Sequence, residues 1–527
     1  MDLLLFGIII VLATVIPIFF VNKTFIGSDN TIQLNIIEQI RLNRHHFIRK
    51  SKSFLFCDDM IYPQFLYWIL SFIGKRSQGI VFRYLFVVFH FLVTLAFVLF
   101  LKQIYPYIDN SIVSEKEFIF WSGLVYLLNP FNFNINNARN TGVSTRGIGL
   151  LFGSIYLYLI VLYNLQGSIV YLVLAGLASL LTLVTSQMAM QMKLFSMPIL
   201  MLFFKSWVIG IPLLGSLLVF YMLMPGYATM YLKGQIRFKY FYFKYLAKNI
   251  LLSKRYSIWR DFVWDFWKII FNGFKHKGQV KKGLLYFYDN PILVLGFSLP
   301  FCIPLLLVYT GLVGIDQAVF QDKTLISLFA ILISMLILFL LTSFRLTRFL
   351  GEPERYVEFS MGLVAPLAVI VFKGQGILLP GILTFCFLFN FIQFIAMRKR
   401  VKDSQMPGFF SDLAKVNSIL EKEDGEIRLL SNNNQISKLL ISDLRRVFFG
   451  WPYSEKIGPF HFNDIYTTDQ YIKLDMLDQI AVVFKIDFLV LDKLAIVPND
   501  PISLNIKKYK MVVDLTDITL YKVSKDA

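Results

Sequence analysis

The segment GSDNTIQLNIIEQIRLNR, residues 27–44, follows the first apolar run of the chain and decides how the rest is interpreted. The preceding run, Leu3 to Val21, carries no charge and is long enough to cross a bilayer. Asp29 therefore lies a few residues beyond a predicted span. A carboxylate at this water boundary can stay ionised and still reach a lipid, so we interpret Asp29 as the centre of a site at the membrane surface.

Apolar residues recur with helical spacing after Asp29. They are Ile32, Ile36, Ile37 and Ile40, with polar residues between them. This pattern predicts an amphipathic helix, and its place beside a span indicates that it lies flat on the bilayer. Asp29 could also serve as an N-cap for a helix that begins at Thr31, and the two roles are compatible.

The composition indicates an integral membrane protein. Of 527 residues, 56% are hydrophobic and 16% are charged, and the mean hydropathy is +0.62. We predict a polytopic α-helical membrane protein with about eleven transmembrane helices. The apolar runs are Leu3–Val21, Tyr84–Leu101, Phe118–Leu128, Ile148–Tyr163, Ile169–Val184, Leu194–Phe204, Trp207–Met224, Pro291–Val313, Leu325–Phe344, Val357–Phe372 and Ile377–Met397.

The hydropathy falls at Arg398, which divides the chain into a membrane domain, residues 1–400, and a small C-terminal α/β soluble domain, residues 401–527. Helices are predicted at Asp412–Glu421 and Gln435–Val447. Strands are predicted at Glu426–Leu430, Ile486–Leu491, Tyr509–Asp514 and Ile518–Val523. The domain has no glycine-rich phosphate loop and no Ser-His-Asp order, so we interpret it as an accessory or acceptor-positioning domain.

The chain carries a formal net charge of +18. Its most basic part, Lys233 to Lys282, has thirteen Lys or Arg against two acids and lies within an aromatic-rich interfacial segment, residues 225–290. Cations mixed with Trp and Tyr suit the headgroup layer, so we expect membrane lipids as a partner and no nucleic acid. The alternatives are a plain solvated interfacial helix or a surface that gathers an anionic lipid donor.

Two motifs resemble a known superfamily. Ser28-Asp29, the amphipathic helix, a basic loop and Tyr62-Pro63 resemble the first external loop, here residues 22–79, of the C-type (GT-C) glycosyltransferases. Gly-Glu-Pro-Glu-Arg-Tyr, residues 351–356, resembles the turn before a late span in bacterial members. The resemblance implies an enzyme that moves a sugar from a polyprenyl phosphate to a glycan, lipid or protein acceptor. It also implies a multi-pass protein of the cell membrane whose active site and C-terminal domain are external, and an inverting reaction.

The same resemblance assigns roles to charged residues. It makes Asp29 the general base, and it places Arg345, Arg348 and Arg355 at the donor phosphate, where the planar guanidinium can bind two phosphate oxygens. Arg139 and Arg146 would close the phosphate pocket from the opposite side. Alternatively, Arg355 pairs locally with its neighbouring glutamates, and the last two arginines anchor the span at the interface.

The chain departs from the superfamily at two places. Gln33 stands where many relatives have His, which leaves the role of that position open. The segment Asn129–Gly147 has no acid, whereas metal-dependent relatives use a second carboxylate there, so we expect a metal-independent reaction without a cofactor. The remaining candidates for a second acid are Glu38, Asp58 and Asp59.

No metal site is evident from the spacing of the three cysteines and five histidines. His45-His46 with Asp58-Asp59 is a conceivable metal cluster, and the alternative is an ordinary polar loop.

Charge and resemblance disagree on sidedness. Six Lys or Arg follow the first apolar run by residue 52 and none precedes it, so the positive-inside rule places the first loop in the cytoplasm. The resemblance places it outside, and we adopt the latter because a lipid phosphate donor favours cations on the catalytic face. Two other functions remain open: a polysaccharide or lipid flippase or transporter, and a polymerase or ligase of surface polysaccharide. A transporter would show paired repeats and charges within its spans.

Overall fold

The computed structural model describes residues 3–20, 28–56, 62–108, 113–133, 144–246, 295–296, 299–310, 322–344, 347–351, 353–373, 377–404, 407–442, 444–448, 455–467, 471–495 and 509–524. The chain forms two compact units. Unit 1 comprises Met1–Lys23, Gly79–Ala228 and Leu252–Arg398. Unit 2 comprises Thr24–Gln78, Thr229–Leu251 and Lys399–Ala527. The first loop therefore belongs to the same unit as the C-terminal residues.

The structure is mostly helical up to residue 404. The described helices are α1 (Leu3–Phe20), α2 (Ser28–Leu42), α3 (Phe65–Ser71), α4 (Lys75–Ile104), α5 (Glu115–Leu128), α6 (Thr145–Gln166), α7 (Ile169–Thr185), α8 (Gln187–Phe203), α9 (Ile211–Leu223), α10 (Pro225–Phe241), α11 (Cys302–Tyr309), α12 (Lys323–Ser343), α13 (Pro353–Glu358), α14 (Met361–Phe372) and α15 (Leu378–Ser404).

Three stretches of these helices are long and apolar enough to cross a membrane, namely Arg76–Tyr107, Thr145–Gln166 and Lys323–Ser343. Five shorter apolar helices accompany them among the described residues, at Gly7–Phe19, Ile169–Thr185, Trp207–Leu223, Met361–Phe372 and Leu378–Ile392. The helical membrane class is confirmed, and the total of eleven spans stays a prediction. Helix α8 begins at Gln187, earlier than the apolar run at Leu194, because Gln187, Gln191 and Lys193 lower the local hydropathy without interrupting the helix.

Hydrogen bonds join the ends of four helices of unit 1 at one end of the bundle. Asn164 Nδ2 near the end of α6 donates to Ser327 Oγ near the start of α12 (2.8 Å). Thr324 Oγ1 donates to the carbonyl of Tyr107 after α4 (2.9 Å). Tyr105 Oη, also after α4, donates to the carbonyl of Val113 before α5 (3.2 Å).

Lys373, at the end of α14, pairs with Glu117 in the first turn of α5. We call this level of unit 1, defined by Glu117, Asn164, Thr324 and Lys373, the capped end.

The opposite end of the same helices carries the arginines. The end of α6 is joined to the start of α12, so these two helices run antiparallel. The start of α6, with Arg146, therefore lies at the level where α12 ends. The 3₁₀ turn that begins at Arg348 follows α12, and Arg355 lies in α13, just before α14. We call this level, defined by Arg146, Arg348 and Arg355, the arginine end.

The C-terminal part of unit 2 is an α/β domain. Its helices are α16 (Pro407–Leu420), α17 (Asn434–Leu439), α18 (Phe462–Ile465) and α19 (Leu477–Val483). Its strands are β1 (Ile427–Ser431), β2 (Arg445–Val447), β3 (Lys456–Ile457), β4 (Phe460–His461), β5 (Phe488–Asp492), β6 (Tyr509–Asp514) and β7 (Ile518–Val523). Five strands form a sheet in the order β2-β1-β5-β7-β6. The β1 pairs with β2 and β5 are parallel, and the β7 pairs with β5 and β6 are antiparallel.

One predicted element of this domain is wrong. The helix predicted at Gln435–Val447 ends at Leu439, and the residues from Arg445 to Val447 form the strand β2. This strand is held by long-range pairing with β1, which local propensity cannot reveal. The strands β6 and β7 have the predicted bounds, because their two alternating runs are separated by a short turn.

The amphipathic helix α2 is present, but its apolar face is covered by protein. Ile32, Ile36, Ile37 and Ile40 are at most 2% exposed, and the helix packs against α3 and α17 within unit 2. The interpretation that this face lies on the bilayer is therefore wrong. A helical period shows that one face is apolar, and bilayer and protein core can both cover such a face. Burial contributes roughly 1.5 to 3 kcal/mol for each isoleucine.

Candidate active site

Asp29 lies in the first turn of α2, because the helix begins at Ser28. This backbone position differs from the expected N-cap of a helix that begins at Thr31. The side chain of Asp29 lies outside the described atoms. A carboxylate in a first helical turn is favoured in its ionised form by the unpaired N–H groups and the helix dipole. The position is therefore compatible with a group that must be ionised to accept a proton.

Gln39 ties α2 to the segment that follows it. Its Nε2 donates to Ser51 Oγ (3.0 Å) and to Ser53 Oγ (2.7 Å), and its Oε1 accepts from the N–H of Lys52 (3.0 Å). Both serines are buried. The Gln39 side chain thus holds residues 51–53 against α2, the helix that carries Asp29.

The same segment extends the C-terminal sheet. The N–H of Leu55 donates to the carbonyl of Val447 (3.0 Å), and the N–H of Val447 donates to the carbonyl of Ser53 (2.8 Å). Phe54 and Val447 form a parallel bridge at the outer edge of β2. Addition of a strand to an exposed sheet edge uses backbone groups that would otherwise be unpaired. The sheet therefore holds the loop that carries Asp29.

Two further side chains make long-range contacts in the described part of the loop. Gln64, fully buried, donates to the carbonyl of Ile48 (2.8 Å) and accepts from its N–H (2.9 Å). Arg41 donates through Nε to the carbonyl of Ser71 (3.0 Å) and through Nη2 to that of Ile73 (2.8 Å). These bonds join Arg41 to the end of α3 and Ile48 to the residue that precedes α3.

Glu38, a candidate second acid, forms an ion pair with Arg41, whose guanidinium also holds α3. Its carboxylate therefore has a structural partner. The other two candidates, Asp58 and Asp59, lie outside the described residues. His45 Nδ1 lies 2.7 Å from Ser71 Oγ, and its ring stacks on Phe72 at 4.1 Å between centroids. The described part of the chain contains no group of three or more potential metal ligands.

The arginine end of unit 1 brings two helix N-termini together. Ser144 caps α6 by accepting from the N–H of Arg146 (3.2 Å), and Ser186 caps α8 by accepting from the N–H of Ala189 (3.4 Å). Gly149, in the second turn of α6, contacts Ser186 so closely that a side chain there would collide with it. Adjacent helix N-terminal turns, one of which carries an arginine, form a suitable environment for a phosphate.

The turn that carries Arg355 is ordered by its neighbours. Tyr356 Oη donates to the carbonyl of Leu350 (2.6 Å), which closes the chain across Gly351. Gly351 has φ 146°, a conformation that favours glycine, and a Cβ there would lie 3.0 Å from Tyr356 Oη. The Gly and Tyr of the second motif thus fix the position of Arg355, which is partly buried.

The structure places Arg146 and Arg355 at the same end of unit 1, with the backbone of Arg348. Arg139 and Arg345 lie outside the described residues, as does the side chain of Arg348. The structure thus brings Arg146, Arg348 and Arg355 to one end of unit 1. That they form a single site with Arg139 and Arg345 stays a prediction.

The sequence analysis missed several polar residues of unit 1. Glu358 at the end of α13 is 7% exposed, and it is the one acid within the predicted span Val357–Phe372, which was an available signal. Gln187 and Gln191 lie one turn apart at the start of α8. Gln191 is 5% exposed, and Gln187 Nε2 is buried without a hydrogen-bond partner in the described structure. All three belong to the arginine end.

Lys193 is a further buried group, fully enclosed in the middle of α8. Its Nζ donates to the carbonyl and to the hydroxyl of Ser179 in α7, each at 2.7 Å. Ser179 Oγ in turn lies 2.7 Å from Ser216 Oγ in α9. These contacts join three helices, so we interpret Lys193 as a structural residue.

No family model matches the sequence, and a comparison with curated proteins finds no match to it. Among solved structures, the chain is similar to ArnT from Cupriavidus metallidurans bound to undecaprenyl phosphate. The identity is 10%, the match covers 99% of this chain and 98% of that chain, and the TM-score is 0.51.

An oligosaccharyltransferase from Archaeoglobus fulgidus in the apo form also matches, at 12% identity and a TM-score of 0.48, over 92% of this chain and 69% of that one. At this TM-score the second similarity does not by itself indicate a shared fold. The first extends over nearly the full length of both chains. The chain therefore has a fold similar to that of ArnT from Cupriavidus metallidurans.

Proposed function

We propose that the protein transfers a glycosyl group from a polyprenyl phosphate to a hydroxyl of a glycan, lipid or protein acceptor at the membrane surface. One observation carries the proposal. The N-termini of α6 and α8 meet beside Arg146 at the end of unit 1 that also holds Arg355. The fold is similar to that of a protein whose structure contains undecaprenyl phosphate, and a lipid phosphate is the ligand that this end would bind.

In the proposed reaction the acceptor oxygen attacks the anomeric carbon while the bond from that carbon to the phosphate oxygen breaks. Asp29 takes the proton of the acceptor hydroxyl and later releases it to water. The polyprenyl phosphate leaves with the bonding electron pair. Attack opposite the leaving group inverts the anomeric configuration.

General-base assistance contributes roughly 10² to 10⁴ in rate. Arg146, Arg355, Arg348, Arg345 and Arg139 are the proposed phosphate ligands. An arginine that faces charge developing on the leaving phosphate stabilises the transition state more than the ground state.

The reaction is proposed to be metal-independent. Glu38 is engaged by Arg41, and the segment 129–147 has no acid, so two of the three candidate second acids, Asp58 and Asp59, remain as possible partners of Asp29 at a metal. In the absence of a metal, the arginines and helix N-termini would balance the phosphate charge.

The experiment is a transfer assay on purified protein in lipid nanodiscs with a panel of polyprenyl-phosphate sugars, hexoses and pentoses, with and without EDTA. We expect one donor class to be consumed with release of polyprenyl phosphate, and the rate to be unchanged by EDTA. Binding of every donor without turnover, together with movement of the lipid between leaflets, would contradict the proposal. Loss of activity in EDTA, with recovery on addition of Mg²⁺ or Mn²⁺, would overturn only the metal-independent mechanism.

We propose that the first loop and the C-terminal domain face the exterior of the cell membrane. Lys52 and the residues after Ser404 belong to the same compact unit, which supports a location on the same side of the membrane. Reporters inserted after Lys52 and after Asp403 should both be accessible to an impermeant reagent in intact cells. Accessibility only in inverted vesicles would place the site in the cytoplasm.

A further inference from the structure

The second half of α10 and the π-helical turn that follows it, Tyr242–Leu246, have one face that mixes cations with large apolar side chains. Ile236 is 73% exposed, Tyr240 55% and Phe243 44%. Lys233 and Arg237 are exposed on the same face, because the five positions follow one another at intervals of three, one, three and three residues. We call this set the α10 face.

The opposite face of the same helix is fixed to the C-terminal domain. Phe241 and Tyr245 are buried and pack against Phe462, with ring centroids 4.9 Å and 5.7 Å away. Lys244 forms an ion pair with Glu455, and Tyr245 Oη donates to the same carboxylate (2.6 Å). These contacts determine which face of α10 points away from the domain.

The ion pair also shifts the pKa values of Glu455 and Lys244. The ammonium of Lys244, and then the hydroxyl of Tyr245, lower the pKa of Glu455 below its ordinary value, and the carboxylate raises the pKa of Lys244. Both groups therefore stay charged near neutral pH, and the helix stays attached.

The composition of the helix indicates what its open face meets. Between Pro225 and Leu246 the sequence has no acid and four cations, Lys233, Arg237, Lys239 and Lys244. If the exposed side chains of Ile236, Tyr240 and Phe243 faced water, each would lack roughly 1 to 3 kcal/mol of the stabilisation that burial of its apolar surface provides. At the level of lipid headgroups, aromatic rings and alkyl groups enter the acyl boundary while cations meet phosphate.

Chain connectivity agrees with that environment. Helix α9 ends at Leu223 and α10 begins at Pro225, so one residue separates them. Apolar side chains of α9 are widely exposed in the structure, for example Leu214 at 66% and Leu218 at 61%, as expected for a helix in contact with acyl chains. The start of α10 thus follows directly on a helix with a lipid-facing surface.

We propose that the α10 face binds the anionic phospholipid headgroups of the surrounding leaflet. Its cations would raise the local concentration of anionic lipid beside the protein. The interaction is independent of sugar transfer, so it can be tested whether or not the enzyme is active.

The first experiment determines the environment of the face. A nitroxide is attached at Ile236→Cys in a Cys57→Ser background, in nanodiscs, and its collisions with oxygen and with a water-soluble nickel chelate are measured. Leu218→Cys on α9 and Val482→Cys on α19, which are both 61% exposed, serve as bilayer and water references. We expect the oxygen-to-nickel ratio at residue 236 to lie between the two references.

A ratio at residue 236 equal to that at 482 would place the face in water and overturn the proposal. Low collision rates with both reagents would indicate a protein partner or a second copy, and would also overturn it.

The second experiment tests the charge specificity. Binding of short-chain phosphatidylglycerol and phosphatidylcholine to the detergent-solubilised protein is compared for the wild type and for Lys233→Gln/Arg237→Gln. At roughly 1 kcal/mol for each cation near an anionic surface, affinity for the anionic lipid should fall about five-fold per residue. Affinity for the neutral lipid should not change.

The matched control is Lys415→Gln/Lys510→Gln, two exposed lysines of the C-terminal domain. An equal loss in the control, or no loss in the α10 variant, would show that the net charge of the protein or another surface is responsible.

Discussion

The two ends of the bundle in unit 1 use their polar residues differently. At the capped end, Ser114 and Glu117 form a capping box on α5, and Lys373 of α14 pairs with that glutamate. Asp322 caps α12 by accepting from the N–H groups of Thr324 (2.6 Å) and Leu325 (3.1 Å). The contacts at this end join one helix to another and satisfy helix termini, which is the work of a structural end.

At the arginine end the polar residues are of another kind. Among the described residues, Arg146, Arg355 and the backbone of Arg348 lie there, together with Glu354 and Glu358. Two capped helix N-termini are added to these cations, and both present positive potential to the same region. Gln187 Nε2 is buried there without a partner in the described structure, although an unpaired buried amide costs about 1 to 3 kcal/mol. We infer that the polar residues of the arginine end serve to bind a ligand, at a cost in the free energy of folding.

The largest expected effect concerns Asp29, in the loop that connects α1 with α4. Asp29→Asn keeps the size of the side chain but removes the base, so transfer should fall by roughly 10² to 10⁴ with little change in thermal stability. Transfer rate and unfolding temperature are measured side by side.

The matched control for Asp29 is Glu38→Gln on the same helix, which weakens an ion pair and should leave most of the activity. An active and stable Asp29→Asn variant would refute the role of the carboxylate as base.

The arginines should come next. Arg146→Ala and Arg355→Ala should each cost about 2 to 5 kcal/mol in donor binding or turnover if the guanidinium meets a desolvated phosphate. Lysine should restore activity only in part, because it keeps the charge but loses the planar donor group.

The control is Lys373→Ala at the capped end. The donor affinity of all three variants is measured by titration with polyprenyl phosphate. If donor binding fell equally in all three variants, the two ends would not differ in function.

A smaller effect is expected where the first loop joins the C-terminal sheet. Leu55→Pro removes the N–H that donates to Val447 and should lower turnover about ten-fold, because the segment tied to α2 by Gln39 loses its anchor. Leu55→Ala keeps the N–H and controls for loss of the side chain. Equal turnover in both variants, with the proline variant correctly folded, would show that strand addition does not position the loop.

The smallest effect on activity is expected at the capped end. Ser114→Ala removes one half of a capping box and should lower the free energy of unfolding by about 0.5 to 2 kcal/mol. Transfer at a temperature well below unfolding should stay at the wild-type rate. A loss of donor affinity with unchanged stability would contradict the division between a structural end and a binding end.

The amino-acid sequence by itself determined the membrane class and most of the helices, because long apolar runs have few other solutions in water or lipid. It also determined β6 and β7, where two alternating runs flank a turn. These features depend on neighbours along the chain. Periodicity and turn chemistry are local and can be read without coordinates.

The tertiary structure alone decided which surfaces meet. The isoleucines of α2 pack against α3 and α17, and Arg445 to Val447 form a strand because β1 and residues 53–55 flank it. Arg146 and Arg355 are far apart in the chain, and they share one end only because α6 and α12 run antiparallel. Gln187 lies between two predicted spans and Glu358 is the one acid within another. Each acquires meaning only from the residues that surround it in space.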